Sequence, residues 1–304
     1  VKADAIAAGM PDDGRGLEAG GDGATAYADA VAVYLGFQVD QQSNHLSTIC
    51  AWHVNNEQLK NTFARQAIPM TWDYAETNPF SNSTGSLQNL QDRQIKGIYS
   101  LANCSYGLAT NANATAQNIS ESKIVSTDPP YYDNISYADL SDFFYIWLRR
   151  SLKQFFPSLF ATMAVPKAGE LVASAYRHGS KQAAEAFFME GMTKALQNLA
   201  ALAHPAFPVT IYYAFKQSET KDGGTTSTGW EAFLDAVLRA GFSLTGTWPV
   251  RTEQTAALKT TVNALASSIV LVCRKRDPNA PPISRTEFIR ALRTELPEAL
   301  KDMT

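Results

Sequence analysis

The run Asp128-Pro129-Pro130-Tyr131 places a carboxylate, a stiffened backbone carbonyl and an aromatic ring within four consecutive residues. It follows Lys123-Ile124-Val125-Ser126-Thr127, whose apolar and β-branched members predict a short strand. Proline fixes its own φ and restricts the residue before it, so the turn leaving that strand is rigid. Such a turn suits an amino group attached to a conjugated ring, as on adenine or cytosine. The lone pair of that nitrogen is delocalised into the ring, so a site that uses it must accept both N–H bonds and push the nitrogen towards a tetrahedral form. Asp128 and the carbonyl of Pro129 supply the two acceptors, and Pro130 keeps the turn from relaxing. The ring of Tyr131 can stack on the base, a contact worth about 1–3 kcal/mol. An Asp-Pro-Pro turn on its own is common in loops. The apolar strand before this one and the aromatic residues after it single it out.

Four nearby side chains could extend the site. Tyr132 and Tyr137 can stack on a base or pack in the core, and Arg149 and Arg150 can meet phosphates or answer the dipole at a helix end. The four histidines, His45, His53, His178 and His204, are scattered and form no ligand pattern. Cys50, Cys104 and Cys273 are far apart and in no CxxC pair, so neither a zinc site nor a disulfide framework is expected. Gly20-Gly21-Asp22-Gly23 precedes a helical stretch but follows no strand, so it reads as a turn rather than a phosphate-binding loop.

The elements that must position the turn are clearest after residue 122. Ser136 and Asp139 form an S-x-x-D capping pattern ahead of Leu140, Phe143, Phe144, Trp147, Leu148, Leu152, Phe155 and Phe156, which predicts an amphipathic helix. A second helix is predicted over residues 182–203, a buried strand over 209–215, a polar Gly/Thr-rich loop over 216–229 and a third helix over 230–240. Two strands, 242–250 and 267–274, then follow without a helix between them, which implies an antiparallel hairpin at a sheet edge. The tail, 285–303, reads as an exposed helix interrupted by Pro297. Upstream, the signal is weaker: a helix over 24–38, short helical pieces and a polar loop over 45–94, and a weak strand over 106–109. The organisation expected is a mostly helical insertion or cap (1–99), a catalytic half-domain (100–276) and a helical tail (277–304).

Asp128-Pro129-Pro130-Tyr131 resembles the DPPY motif of amino-group DNA methyltransferases, and residues 128–140 are similar to a family of adenine-specific DNA methylases. The resemblance spans most of the chain. It implies a class I S-adenosyl-L-methionine-dependent methyltransferase sheet of Rossmann-like α/β type, with DPPY after the fourth strand and a reversed seventh strand that the final hairpin would supply. It implies Asp128 and the Pro129 carbonyl as amine acceptors, Tyr131 as stacking ring and S-adenosyl-L-methionine as cofactor. Asp at the first position is closer to adenine enzymes than to cytosine-N4 enzymes. Asn111-Ala112 occupies the place of the family's Asp-Ala pair, which holds the cofactor's adenine. The family's F-x-G-x-G loop and its ribose-binding acid are not found, and the resemblance implies that they lie upstream of a chain cut from a longer one.

Composition narrows the class further. With 304 residues, 45% hydrophobic and 18% charged, the chain reads as globular; it has no run of about eighteen apolar residues, and no signal peptide is expected. A cytoplasmic protein is expected. The net charge of −3 argues against strong autonomous grip on a duplex, which relies on a basic face. The function expected is methylation of adenine N6 in DNA, on a base flipped out of the helix. Two alternatives stand beside it: methylation of RNA or protein amines, and a non-catalytic binding or scaffold component of a restriction or defence assembly.

Overall fold

The structure, a computed structural model, describes residues 1–63, 68, 70–72, 74–83, 85–101, 107–133, 135–214, 218, 219, 225, 226, 228–251 and 267–301. In chain order the elements are α1 (Lys2–Ala7), α2 (Ala24–Leu46), β1 (Trp52–His53), β2 (Gln58–Leu59), α3 (Leu87–Leu101), β3 (Ser126–Thr127), α4 (Tyr137–Leu152), α5 (Ala175–His178), α6 (Lys181–Leu202), β4 (Val209–Tyr213), β5 (Ser218–Glu219), β6 (Thr225–Thr226), α7 (Thr228–Arg239), β7 (Phe242–Arg251), β8 (Ser267–Lys275) and α8 (Arg285–Lys301). They fall into two compact units, one of Val1–Asn111 with Tyr132–Ala184, the other of Ala112–Tyr131 with Glu185–Thr304.

The second unit is α/β, built on a mixed sheet in the order β3-β4-β8-β7. β3 and β4 are parallel, whereas β8 runs antiparallel to both β4 and β7. β7 therefore runs with β3 and β4, and β8 is the one reversed strand of the sheet. The expected hairpin forms, with its first strand outermost. Residue type explains the order: β8 is the apolar run Ile269-Val270-Leu271-Val272-Cys273, suited to an inner strand, while β7 carries Pro249, which cannot donate to a second neighbour. A bulge between Leu244 and Gly246 further marks β7 as an edge.

Alternation sets the core of this unit. Val209, Ile211 and Tyr213 of β4 are buried, and their register partners on the same face are Cys273, Leu271 and Ile269. α7 buries Phe233, Ala236 and Val237, with Ala240 just past its end completing an i, i+3, i+4, i+7 stripe before Gly241, whose φ of +90° is left-handed. Phe233 stacks on Tyr213 with centroids 4.0 Å apart and planes 13° apart, so α7 covers this face of the sheet. α6 buries Phe188, Met192, Ala195 and Leu196, as their spacing predicts. β3 is shorter than expected, but the segment is tied down: Thr210 N–H donates to the Val125 carbonyl at 3.1 Å and His204 N–H to that of Lys123 at 3.0 Å.

The first unit is helical around α2, which contacts α1, α3 and α4. Gly36 lets α2 approach α4: a Cβ there would sit 2.8 Å from Cδ2 of Leu152. The Gly20–Gly23 stretch is indeed a turn. Asp12 caps α2 through the Thr25 N–H (3.0 Å) and hydroxyl (2.8 Å), and a Cβ on Gly23 would lie 2.8 Å from the Pro11 carbonyl. α2 runs eight residues past its expected end, from 38 to Leu46.

Four expectations are corrected here. Ser136 makes no capping bond; instead Glu170 accepts the Ala138 N–H at 2.9 Å, because Asp139 is drawn to Arg177 at 2.7 Å. α4 stops at Leu152, which leaves Phe155 and Phe156 in the following turns. Between α2 and α3 one of the expected short helical pieces forms, a 3₁₀ turn over Val54–Asn56, but it joins β1 and β2 in a small hairpin, and 107–109 form no strand. Finally, α8 continues through Pro297, where an exposed helix leaves the freed carbonyl to solvent. Tyr106, Cys104 and most of the 216–229 loop lie outside the described residues.

Candidate functional site

The candidate site is built on the ends of two parallel strands. Thr127 of β3 is in register with Ile211 of β4, so Asp128 leaves the sheet beside Tyr212 and Tyr213, at the carboxyl ends where open α/β sheets bind ligands. Asp128 is exposed, and Pro129, Pro130 and Tyr131 are half-buried. The phenolic O–H of Tyr131 donates to Oδ1 of Asp128 at 2.6 Å, the short distance of a charge-assisted bond. Oδ2 of Asp128 has no hydrogen bond among the described residues.

Behind the turn stands an aromatic stack. The Tyr131 ring meets Tyr213 edge-on, with centroids 5.3 Å apart and planes at 71°. Tyr213 is itself fixed by Phe233 on one side and by Trp230, at 5.8 Å, in the first turn of α7. Its hydroxyl donates to the Gly229 carbonyl at 3.4 Å. Tyr213 is 1% exposed, so it serves as backing, whereas Tyr131 is half-buried. Sequence reasoning missed Tyr213 and Trp230. The signals for them were the aromatic end of β4 and the tryptophan at the start of α7, which read equally well as core.

The remaining predicted residues are placed as follows. Tyr132 is buried, adopts a left-handed φ of +52° and accepts the Ala173 N–H on its carbonyl, so it is a strained turn residue rather than an open stacking face. Tyr137 is 44% exposed at the start of α4. Arg149 donates from Nε to the Phe160 carbonyl at 3.2 Å, which holds it to its own loop, while Arg150 is exposed. Asn111 and Ala112 are exposed in irregular chain, with no described strand leading into them. No described strand runs into a described glycine-rich turn either. The described residues therefore do not fit S-adenosyl-L-methionine.

Other groups do not compete with the turn as a site. Among the described residues no cluster of three or more His, Cys, Asp or Glu could hold a metal ion. Cys273 is buried in β8, and burial pushes its thiol up to about 12, so it is inert. A groove of about 490 Å³ on α6, lined by Glu190, Lys194 and Arg239, mixes both signs of charge and includes no residue of the turn. Among the described residues no helix is long and apolar enough to cross a membrane.

No protein-family model matches the chain, and no curated protein matches it. Among solved structures it is similar to a protein provisionally named a DNA modification methylase, from Thermus thermophilus, at 10% identity and a TM-score of 0.27. That match covers 56% of this chain and 52% of the other, so it spans about half of the methylase's length.

Proposed function

We propose that this chain is the target-base side of a DNA adenine-N6 methyltransferase that uses S-adenosyl-L-methionine, with Asp128 as the acceptor for the exocyclic amine. The observation that carries the reading is an exposed carboxylate and a half-buried aromatic ring held together at the carboxyl ends of two parallel strands. The strand directions support it, since the resemblance to amino-group methyltransferases implies a reversed last strand and β8 runs antiparallel to β4 and β7.

On this reading Asp128 accepts one N–H of a flipped adenine and the Pro129 carbonyl the other, while the Tyr131 face stacks on the base. As the amine gains positive charge the carboxylate bond strengthens, which is where a catalytic group must act. S-adenosyl-L-methionine supplies the methyl group when bound. Its binding residues are not among the described ones. Tyr137 and Arg150 are exposed and could each contact nucleic acid. The buried thiols Cys50 and Cys273 suit a cytoplasmic protein. The net charge of −3 implies weak affinity for a duplex backbone, so further subunits of a restriction or defence assembly would supply that grip.

The test compares two oligonucleotides that differ at one unpaired base, adenine or purine, the latter lacking the amine. A hydrogen bond to a charged acceptor is worth about 1.5–3 kcal/mol, so adenine should bind about ten- to a hundredfold tighter, and Asp128→Ala should abolish the preference. Equal binding of the two bases by the parent would sink the assignment. Radiolabelled methyl transfer to DNA, RNA and protein acceptors then separates the chemistries. In the assembled enzyme Asp128→Ala should lower the rate of transfer by about 10²–10³. Adenine capture without transfer to any acceptor would mark the chain as a binding component.

A further inference from the structure

Tyr131 has two chemically distinct parts, and the site reading above uses only its ring. The hydroxyl lies 2.6 Å from Oδ1 of Asp128, and the ring that carries it is held edge-on by the buried Tyr213. Tyr213 is in turn clamped by Phe233 and Trp230. An aspartate on an exposed turn would otherwise rotate freely and spread its two oxygens over several directions.

We infer that the Tyr131 hydroxyl is a positioning group that turns the Asp128 carboxylate, occupying Oδ1 and leaving Oδ2 as the acceptor presented to the amine, with Tyr213 as the buttress that holds the phenol in place. This rests on the reading of Asp128 as the amine acceptor. The geometry is self-consistent, because a base stacked on Tyr131 lies in a plane parallel to the ring. One carboxylate can then serve both planes, Oδ1 taking the phenol in its own plane and Oδ2 taking the amine in the plane of the base. Orientation is set before the substrate arrives, so no substrate binding energy is spent on it. The hydroxyl also takes up one lone pair of Oδ1, which leaves Oδ2 as the oxygen with both of its acceptor sites open.

The experiment uses the same adenine and purine oligonucleotides with the parent, Tyr131→Phe and Tyr131→Ala, together with crystal structures of the parent and Tyr131→Phe. Tyr131→Phe keeps the stacking face, so purine affinity should stay within about twofold of the parent. The adenine-to-purine ratio should fall about three- to tenfold, as for one hydrogen bond. Tyr131→Ala should lower the affinity for both bases by about tenfold, which a loss of stacking requires. In the crystals the Asp128 carboxylate should be single in the parent and spread over more than one orientation in Tyr131→Phe. A Tyr131→Phe protein that keeps the full adenine preference with Asp128 still fixed overturns the inference. A parent with no adenine preference, but in which Tyr131→Phe still releases Asp128, supports the positioning role and overturns the amine assignment instead.

Discussion

β4 and α2 are both rich in apolar residues, yet they bury them by opposite rules. In β4 the alternate residues Val209, Ile211 and Tyr213 are buried, as the two-residue period requires. In α2 the apolar Tyr27, Tyr34 and Leu35 are exposed, while Gln38 and Gln42 are each only 8% exposed. The glutamines are buried because they are satisfied on one side: Nε2 of Gln38 donates to the Leu87 carbonyl and that of Gln42 to the Gly85 carbonyl, both at 3.1 Å. A strand's pleat leaves two faces, one of which the neighbouring helix must cover. A helix that is apolar all round leaves the choice of face to its partners, and here small residues and backbone hydrogen bonds decide it.

The comparison breaks most visibly at Phe233. It is fully buried and stacks on Tyr213, so Phe233→Ala should destabilise the protein by about 3–5 kcal/mol in denaturant titrations. It should also loosen Tyr213 and, through it, Tyr131, so adenine preference should fall even where the variant remains folded. A variant with the parent's stability would mean that α7 does not cover the sheet as described.

A smaller effect is expected at Gly36, which tests why α2 shows α4 its small face. The nearest atoms to a Cβ there are Cδ2, Cγ and Cδ1 of Leu152, at 2.8, 3.1 and 3.5 Å, the movable end of a side chain. Gly36→Ala should therefore stay within about 1 kcal/mol of the parent, the shift of Leu152 being offset by the gain in helix propensity. Gly36→Leu has no such room and should cost about 1–3 kcal/mol. Equal stability of the two variants would show that the helices do not approach at this point.

The same contrast explains what was legible in the sequence. The Asp128 turn could be read because two prolines and a β-branched strand are local signals, and β4, β7, β8, α6 and α7 could be read because period and punctuation agree. The inner place of β8 was also written in residue types, by Pro249 and Gly246 on its partner, although the expectation stopped at a hairpin. Tyr213 and Trp230 were not legible as part of the site, because their contact with Tyr131 depends on the β3 to β4 register and on where α7 begins. The Ser136 to Asp139 cap failed for a related reason: a local pattern lost to Glu170 and Arg177, which lie more than thirty residues away. Local chemistry predicts a turn; long-range ion pairs choose between competing turns.

The last expectation sharpens the view of α2 as a helix that buries polar groups. Asp40 lies half-buried on it, and its Oδ1 has no hydrogen-bond partner among the described residues. Burial pushes its carboxyl up to about 6 from an ordinary value of 3.8. The sign follows from proton counting. Between about pH 4 and 6 the native state holds the Asp40 proton and the unfolded chain has lost it, so native stability falls as pH rises through that window. Below it both states are protonated and Asp40 contributes no penalty; above it the penalty is complete. Because the group is only half-buried, solvent screening cuts the effect to roughly 1 kcal/mol, or about 2–4 °C in melting temperature. Asp40→Asn removes the charge while keeping the shape, so the variant should melt with the parent at pH 4 and above it at pH 8. His45, one turn and a residue further along α2, is also shifted, downwards by burial and by Arg93. It is common to both proteins, so taking the difference between them isolates Asp40. A difference that stays constant from pH 4 to pH 8 would show that the carboxylate is solvated when charged, and that the buried face of α2 is less dry than its glutamines indicate.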